Sequence, residues 1–121
     1  MGKEFINYEQ ALDLKQLGFD EECLMYYDYS WTLIESGVYE CKAPLYQQCF
    51  RFFREKHNLL GGVYSNASGW AWEIHDNVGG THRFASEYTG DCLESGMFTS
   101  FEKAELACLK KLIEIVKTKQ I

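Results

Sequence analysis

Residues Met97–Lys119, MFTSFEKAELACLKKLIEIVKTK, decide how the rest of the chain has to pack. Thr99 followed three residues later by Glu102 is the pattern of a capping box, which satisfies orphan backbone donors at a helix start. From Phe101 the apolar positions Ala104, Cys108, Leu112 and Ile115 recur three or four apart, and Leu109, Ile113 and Val116 make a second seam beside them. The resulting arc is wider than one amphipathic stripe, so this helix is expected to be covered on more than one side. Lys103, Lys110 and Lys117 mark the opposite, watered face. Glu105 is out of place, because it falls among the directions of Phe101, Leu109 and Leu112. It reads either as a partly buried carboxylate acting on a ligand, or as a structural group that reaches the sheet edge and pairs with an Arg or with backbone amides. The second is the more ordinary, since structural pairs also perturb carboxylates.

Immediately upstream, Trp70, Trp72 and Ile74 alternate with Ala71, Glu73 and His75, the pattern of a half-buried strand. Val78-Gly79-Gly80 suits a three-residue hairpin loop. That register sets Ile74 opposite Phe84, Trp72 opposite Ser86, Trp70 opposite Tyr88 and His75 opposite Arg83. Gly90-Asp91 then turns the chain into a third strand, Cys92–Phe98, whose Leu93 and Met97 join the same apolar face. Period-two patterning makes this register specific, because a slip of one residue would turn the apolar set to water.

Nearer the start, Asn7 with Gln10 opens a helix over Tyr8–Leu17 whose buried side is Leu12, Leu14 and Leu17. Gly18 suits a left-handed stop, with Phe19 returning to Leu14. Residues 22–41 are rich in aromatic and β-branched types. They predict strands near Cys23–Tyr27 and Trp31–Glu35 about a turn at Asp28–Ser30, with Val38–Cys41 extending the pairing. Pro44 opens a second helix over Leu45–His57 with a core face of Tyr46, Cys49, Phe50 and Phe53, ended by Asn58 and Gly61-Gly62. The order is α-β-β-α-β-β-β-α: a single α+β domain over residues 1–121, with an antiparallel sheet and helices packed on one face.

A chain of 121 residues with 46% apolar and 25% charged residues is large enough to bury a core without staples. Its net charge of −6 argues against a generic nucleic-acid or anionic-membrane binder. The charge is uneven: residues 1–40 carry nine acids against Lys3 and Lys15, and residues 41–58 carry four bases against Glu55. The two regions either pair internally or leave an acidic face for a basic partner. Five cysteines without regular spacing, no signal peptide and no apolar run of spanning length predict reduced thiols in a cytoplasm.

No pair among the three histidines and the cysteines has metal-ligand spacing, and neither double glycine is followed by the lysine and helix of a phosphate loop. No catalytic set, metal site or cofactor is therefore expected. The open face of the last sheet gathers Glu73, His75, Arg83 and Glu87, flanked by Ala71 and Ala85. A solvated face of mixed charge is the ordinary case for such a sheet; a binding face is the sharper one.

At FINYEQALDLKQLGFDEEC, CFRFFREKHNL and SFEKAELACLKKLIEIVK the chain resembles small uncharacterised proteins of tailed phages and prophages of gut bacteria. That resemblance implies a phage accessory protein made in the cytoplasm of a bacterial host, and it carries no site residues. Residues 61–118, including GVYSNASGWAWEIHDN and FTSFEKAELACLKKL, are similar in architecture to two three-strand-plus-helix domains: the arm-binding domain of phage integrases and the DNA-binding domain of plant ethylene-response factors. In that fold Arg and Trp enter the major groove from the open sheet face. Here the face offers Arg83 beside Glu73 and Glu87, and the departure strikes the function itself.

The leading expectation is a non-enzymatic module that binds a host protein in regulation or anti-defence, with no membrane contact. Small-ligand capture, for instance of a nucleotide signal, and nucleic-acid binding through the open sheet face are the alternatives. A homodimer is also expected if the Leu106, Leu109, Ile113 and Val116 seam is not met within the chain, because a contiguous apolar patch is rarely left in water.

Overall fold

A computed structural model of the chain describes residues 4–66, 69–76, 82–85 and 98–119. The elements run α1 (Tyr8–Gln16), β1 (Met25–Tyr27), β2 (Leu33–Ile34), β3 (Cys41–Ala43), α2 (Tyr46–His57), β4 (Leu59–Asn66), β5 (Gly69–Asp76), β6 (His82–Ala85) and α3 (Phe101–Lys119). The fold is α+β, but the expected order needs two additions, β3 and β4. The described strands also form two antiparallel sheets, ordered β2-β1-β3 and β4-β5-β6.

β4 is the larger correction. Its sequence, LLGGVYSN, puts Gly61-Gly62 where a helix end was expected, yet both glycines lie in the strand, paired with Ile74 and Glu73. The reason is close packing. A Cβ on Gly61 would stand 2.9 Å from Cδ1 of Leu112 and 3.1 Å from Sγ of Cys108, so only glycine lets α3 lie this near the sheet. α2 instead stops at Asn58, which takes the left-handed conformation at φ 56°.

The end of α1 follows its sequence closely. Gly18 has φ 95°, its N–H donates to the Lys15 carbonyl at 3.2 Å, and the Phe19 N–H donates to Leu14 at 2.9 Å. These two bonds are a Schellman stop, sealed by the burial of both Phe19 and Leu14. The start of α1 differs: Asn7 stands at the N-cap without a side-chain capping bond, and Gln10 is buried. α3 is capped one residue later than expected. Ser100, not Thr99, accepts the N3 hydrogen bond, its Oγ taking the Lys103 N–H at 3.2 Å.

Ile74 pairs with Phe84 as its pattern predicts. The expected His75–Arg83 pair does not form, because an irregularity between Ile74 and His75 shifts the register and sets His75 opposite His82. Trp70 forms a bridge with Phe98. The expected Trp72–Ser86 and Trp70–Tyr88 pairs, the 78–80 loop, the Gly90-Asp91 turn and most of the Cys92–Phe98 strand lie outside the described residues.

α2 and α3 pack on the β4-β5-β6 sheet, and α1 packs on β3 and α3. Leu109, Leu112, Ile113 and Val116 all enter one buried cluster with Leu14, Phe53, Trp72 and Ile74. Most of the seam expected to seek a second subunit is therefore covered within one chain; Ile113 keeps 4% of its surface. A homodimer through this helix loses its motive.

Candidate functional site

The second sheet's outer face is set by its register. Leu60 opposes His75, Gly62 opposes Glu73 and Tyr64 opposes Ala71, so these six share one side, away from Gly61 and the helices. Nε2 of His75 lies 3.2 Å from Oε1 of Glu73. Of the four residues expected on this face, the structure brings Glu73 and His75 together. Arg83 belongs to β6 but is not opposite His75, and Glu87 lies outside the described residues. A histidine beside a carboxylate gives this part of the face no surplus of positive charge for a phosphate backbone.

Glu105 has a more informative setting. The segment before α1 is tied across the start of α2: the Ile6 N–H donates to the Pro44 carbonyl and the Tyr46 N–H to the Glu4 carbonyl, each at 3.0 Å. This brings Glu4 and Phe5 beside the first turns of α2 and α3. Together they line an open, groove-like cavity of about 580 Å³. Phe5, Leu24, Leu45 and Phe101 give it apolar walls, and Glu4, Glu102 and Glu105 give it three carboxylates. Burial pushes the Glu105 carboxyl up to about 7, and the neighbouring charge of Glu102 adds to the shift. Burial likewise pushes the Tyr46 phenol up to about 12, helped by Glu105. Among the described residues no arginine or lysine pairs with Glu105, so of the two structural alternatives only pairing with backbone amides is left.

The turn expected at Asp28–Ser30 forms, but it takes in Trp31, which was expected to open a strand that begins only at Leu33. Asp28 closes a tight turn: its carboxylate accepts the N–H groups of Ser30 at 2.8 Å and Thr32 at 2.9 Å, and its carbonyl accepts that of Trp31 at 3.0 Å. This forces Trp31 to φ 67°, a left-handed conformation that bulky side chains avoid. The Trp31 ring lies 5.5 Å from that of Tyr8, whose hydroxyl donates to the Glu40 carboxylate at 2.7 Å. That hydrogen bond is the main reason the Tyr8 phenol is raised to about 12. Tyr29 and Trp31 are each 67% exposed, and Tyr39, stacked on Tyr26 at 4.4 Å, is exposed as well. The sequence signal was Asp28 two residues before Ser30, an Asx turn, but the left-handed tryptophan is a backbone property that composition does not display.

No family model, curated protein or solved structure matches this chain. Among the described residues no three of His, Cys, Asp and Glu are grouped to hold a metal ion, and no helix is long and apolar enough to cross a membrane. Cys23, Cys41, Cys49 and Cys108 are free. Burial raises all four thiols, Cys23 to about 11 and Cys108 to about 12, which leaves little thiolate for nucleophilic work near neutrality.

Proposed function

We propose that the chain is a non-enzymatic, phage-type accessory protein that binds a host protein in regulation or anti-defence. The observation that carries this reading is Trp31. A large aromatic side chain is held in water by a backbone conformation that costs on the order of 1 kcal/mol, and it does not serve as core. Tyr29 is exposed in the same turn, and Tyr8 supports the Trp31 ring from behind. Trp and Tyr are the residues most enriched at the energetic centres of protein interfaces. The carboxylates of Asp28 and Glu40 stand beside these rings, which suits a partner surface bearing arginine or lysine among apolar groups.

The test is quantitative capture from host lysate with the native chain and with a Trp31→Asn, Tyr29→Ser variant. Asparagine tolerates the left-handed conformation, so the turn is expected to survive while the rings are lost. Stoichiometric recovery of one protein by the native chain, reduced at least about tenfold in the variant, is the expected result for loss of a central aromatic anchor. Equal recovery by both chains, or retention of nucleic acid in place of protein, would sink the proposal.

A further inference from the structure

The cavity beside Glu105 is a second candidate, and it stands independently of the Trp31 surface. Its charge can be decided by magnitude. The N-termini of α2 and α3 open on it through Leu45, Tyr46 and Phe101, and each contributes about half a positive charge. Glu4, Glu102 and Glu105 bring three carboxylates, and among the described residues no lysine, arginine or histidine lines the space. Even with Glu105 protonated, two carboxylates against two half-charges leave about one negative charge. Glu102 lies in the first turn of α3, where the helix dipole acts on it. Glu105 lies a turn further on, past most of that influence.

The walls then select among cations. A bare metal ion needs several oxygens gathered at one point, and these carboxylates are not so grouped. Phe5, Leu24, Leu45 and Phe101 instead offer apolar surface, which favours a cation with a hydrocarbon stem. The volume of about 580 Å³ is within the range of small-ligand sites. We propose that this cavity binds an alkylammonium of the lysine side-chain type, its ammonium on the Glu105 carboxylate and its methylenes against Leu24, Leu45 and Phe101.

Binding would favour the ionised carboxylate. The groups that bear on Glu105 are Glu4 from the segment before α1, Tyr46 and Cys49 from α2, and Glu102 and Cys108 from α3. Tyr46, Cys49 and Cys108 are all pushed up by burial and stay neutral at pH 7. Affinity for the ammonium therefore rises between about pH 6 and about pH 8 as Glu105 ionises.

The experiment titrates the full chain with Nα-acetyl-lysine methylamide, with the uncharged Nα-acetyl-norleucine methylamide and with n-pentylammonium, following backbone amide shifts by NMR. Saturable shifts at Leu24, Tyr46 and Glu105 with both ammonium probes, and none with norleucine, are expected. Glu105→Gln is expected to weaken both by about tenfold or more, the usual scale for losing a charge-assisted hydrogen bond. Leu24→Ser, at a side chain 72% exposed and so without consequence for folding, is expected to weaken them several-fold. Tighter binding of the lysyl probe than of pentylammonium points to a side chain presented by a protein; equal binding points to a free amine. Binding of norleucine as tight as lysine, unchanged binding in Glu105→Gln, or no saturation by either ammonium overturns the assignment.

Discussion

Replacing Glu105 by glutamine is expected to stabilise the protein at neutral and alkaline pH and to do little in acid. The carboxyl is about 4.5 when solvated and about 7 in the folded chain, because burial disfavours the charged form. The folded state thus holds a proton that the unfolded state releases. The contribution of this group to stability is fully present below about pH 4.5, declines as pH rises through the interval up to about 7, and stays lost above it. Two and a half pH units at ~1.36 kcal/mol each set a ceiling of ~3.4 kcal/mol. Glu105 remains partly open to the cavity, and solvent screening brings the expected effect down to ~1–2 kcal/mol. Urea unfolding followed by circular dichroism at about pH 5 and about pH 8 measures it. Glu105→Gln is expected to raise the midpoint at the higher pH and to leave it nearly unchanged at the lower. A variant less stable than the native chain at about pH 8 would refute the reasoning, because it would mean that the charge is held by a favourable partner.

Three further substitutions probe the packing. Gly61→Ala is expected to cost ~1–2 kcal/mol by urea unfolding, since its Cβ would meet Leu112 and Cys108 at 2.9 and 3.1 Å. Gly62→Ala, with open space around its Cβ, is expected to be neutral or stabilising by a few tenths of a kcal/mol; equal effects at the two positions would show that the close approach of α3 is not what requires glycine. Ile113→Glu places a charge where 4% of the side chain is exposed and is expected to unfold the chain, at a cost of ~3 kcal/mol or more. Light scattering is expected to give a monomer mass for the native chain, and a folded monomeric Ile113→Glu arising from a native dimer would contradict the burial described above.

The parts of the fold that were legible in the sequence are those in which local chemistry and tertiary demand agree. Gly18 supplies the left-handed stop of α1, and its flanking Leu14 and Phe19 are both core residues. The alternation of Trp72 and Ile74 with Glu73 and His75 reports the sheet face directly. β4 was hidden because Gly61-Gly62 has the local chemistry of a turn, while the demand for glycine comes from Leu112 and Cys108, some fifty residues away in the chain. The bulge at Ile74–His75 was equally hidden, since no residue there announces a register shift. Glu105 was visible as a carboxylate among apolar positions. Its cavity was not visible, because the walls come from Phe5, Leu24, Leu45 and Phe101, and their meeting depends on the backbone bonds between Glu4–Ile6 and Pro44–Tyr46.

The acidic excess of the first forty residues can now be divided between inside and outside. Asp20 pairs with Lys42 at 3.5 Å, Glu21 with Arg51 and Asp13 with Lys117, so basic residues from later in the chain do answer part of it. Lys15 is directed instead to the backbone carbonyl of Glu40, at 2.7 Å. Among the described residues Glu4, Glu9, Glu22, Asp28, Glu35 and Glu40 have no basic side chain paired to them. Two of these, Asp28 and Glu40, border the exposed Trp31 and Tyr29, and Glu4 borders the Glu105 cavity. Exposed carboxylates gain little from isolated surface pairs, so leaving them unpaired costs the fold almost nothing. Around Tyr29 and Tyr39 the charge is mixed, because Lys15 and Lys42 line the same groove as Glu40. On the proposed reading, the carboxylates of Asp28 and Glu40 would attract a cationic partner only at short range, and the exposed Trp31 and Tyr29 rings would supply most of the contact.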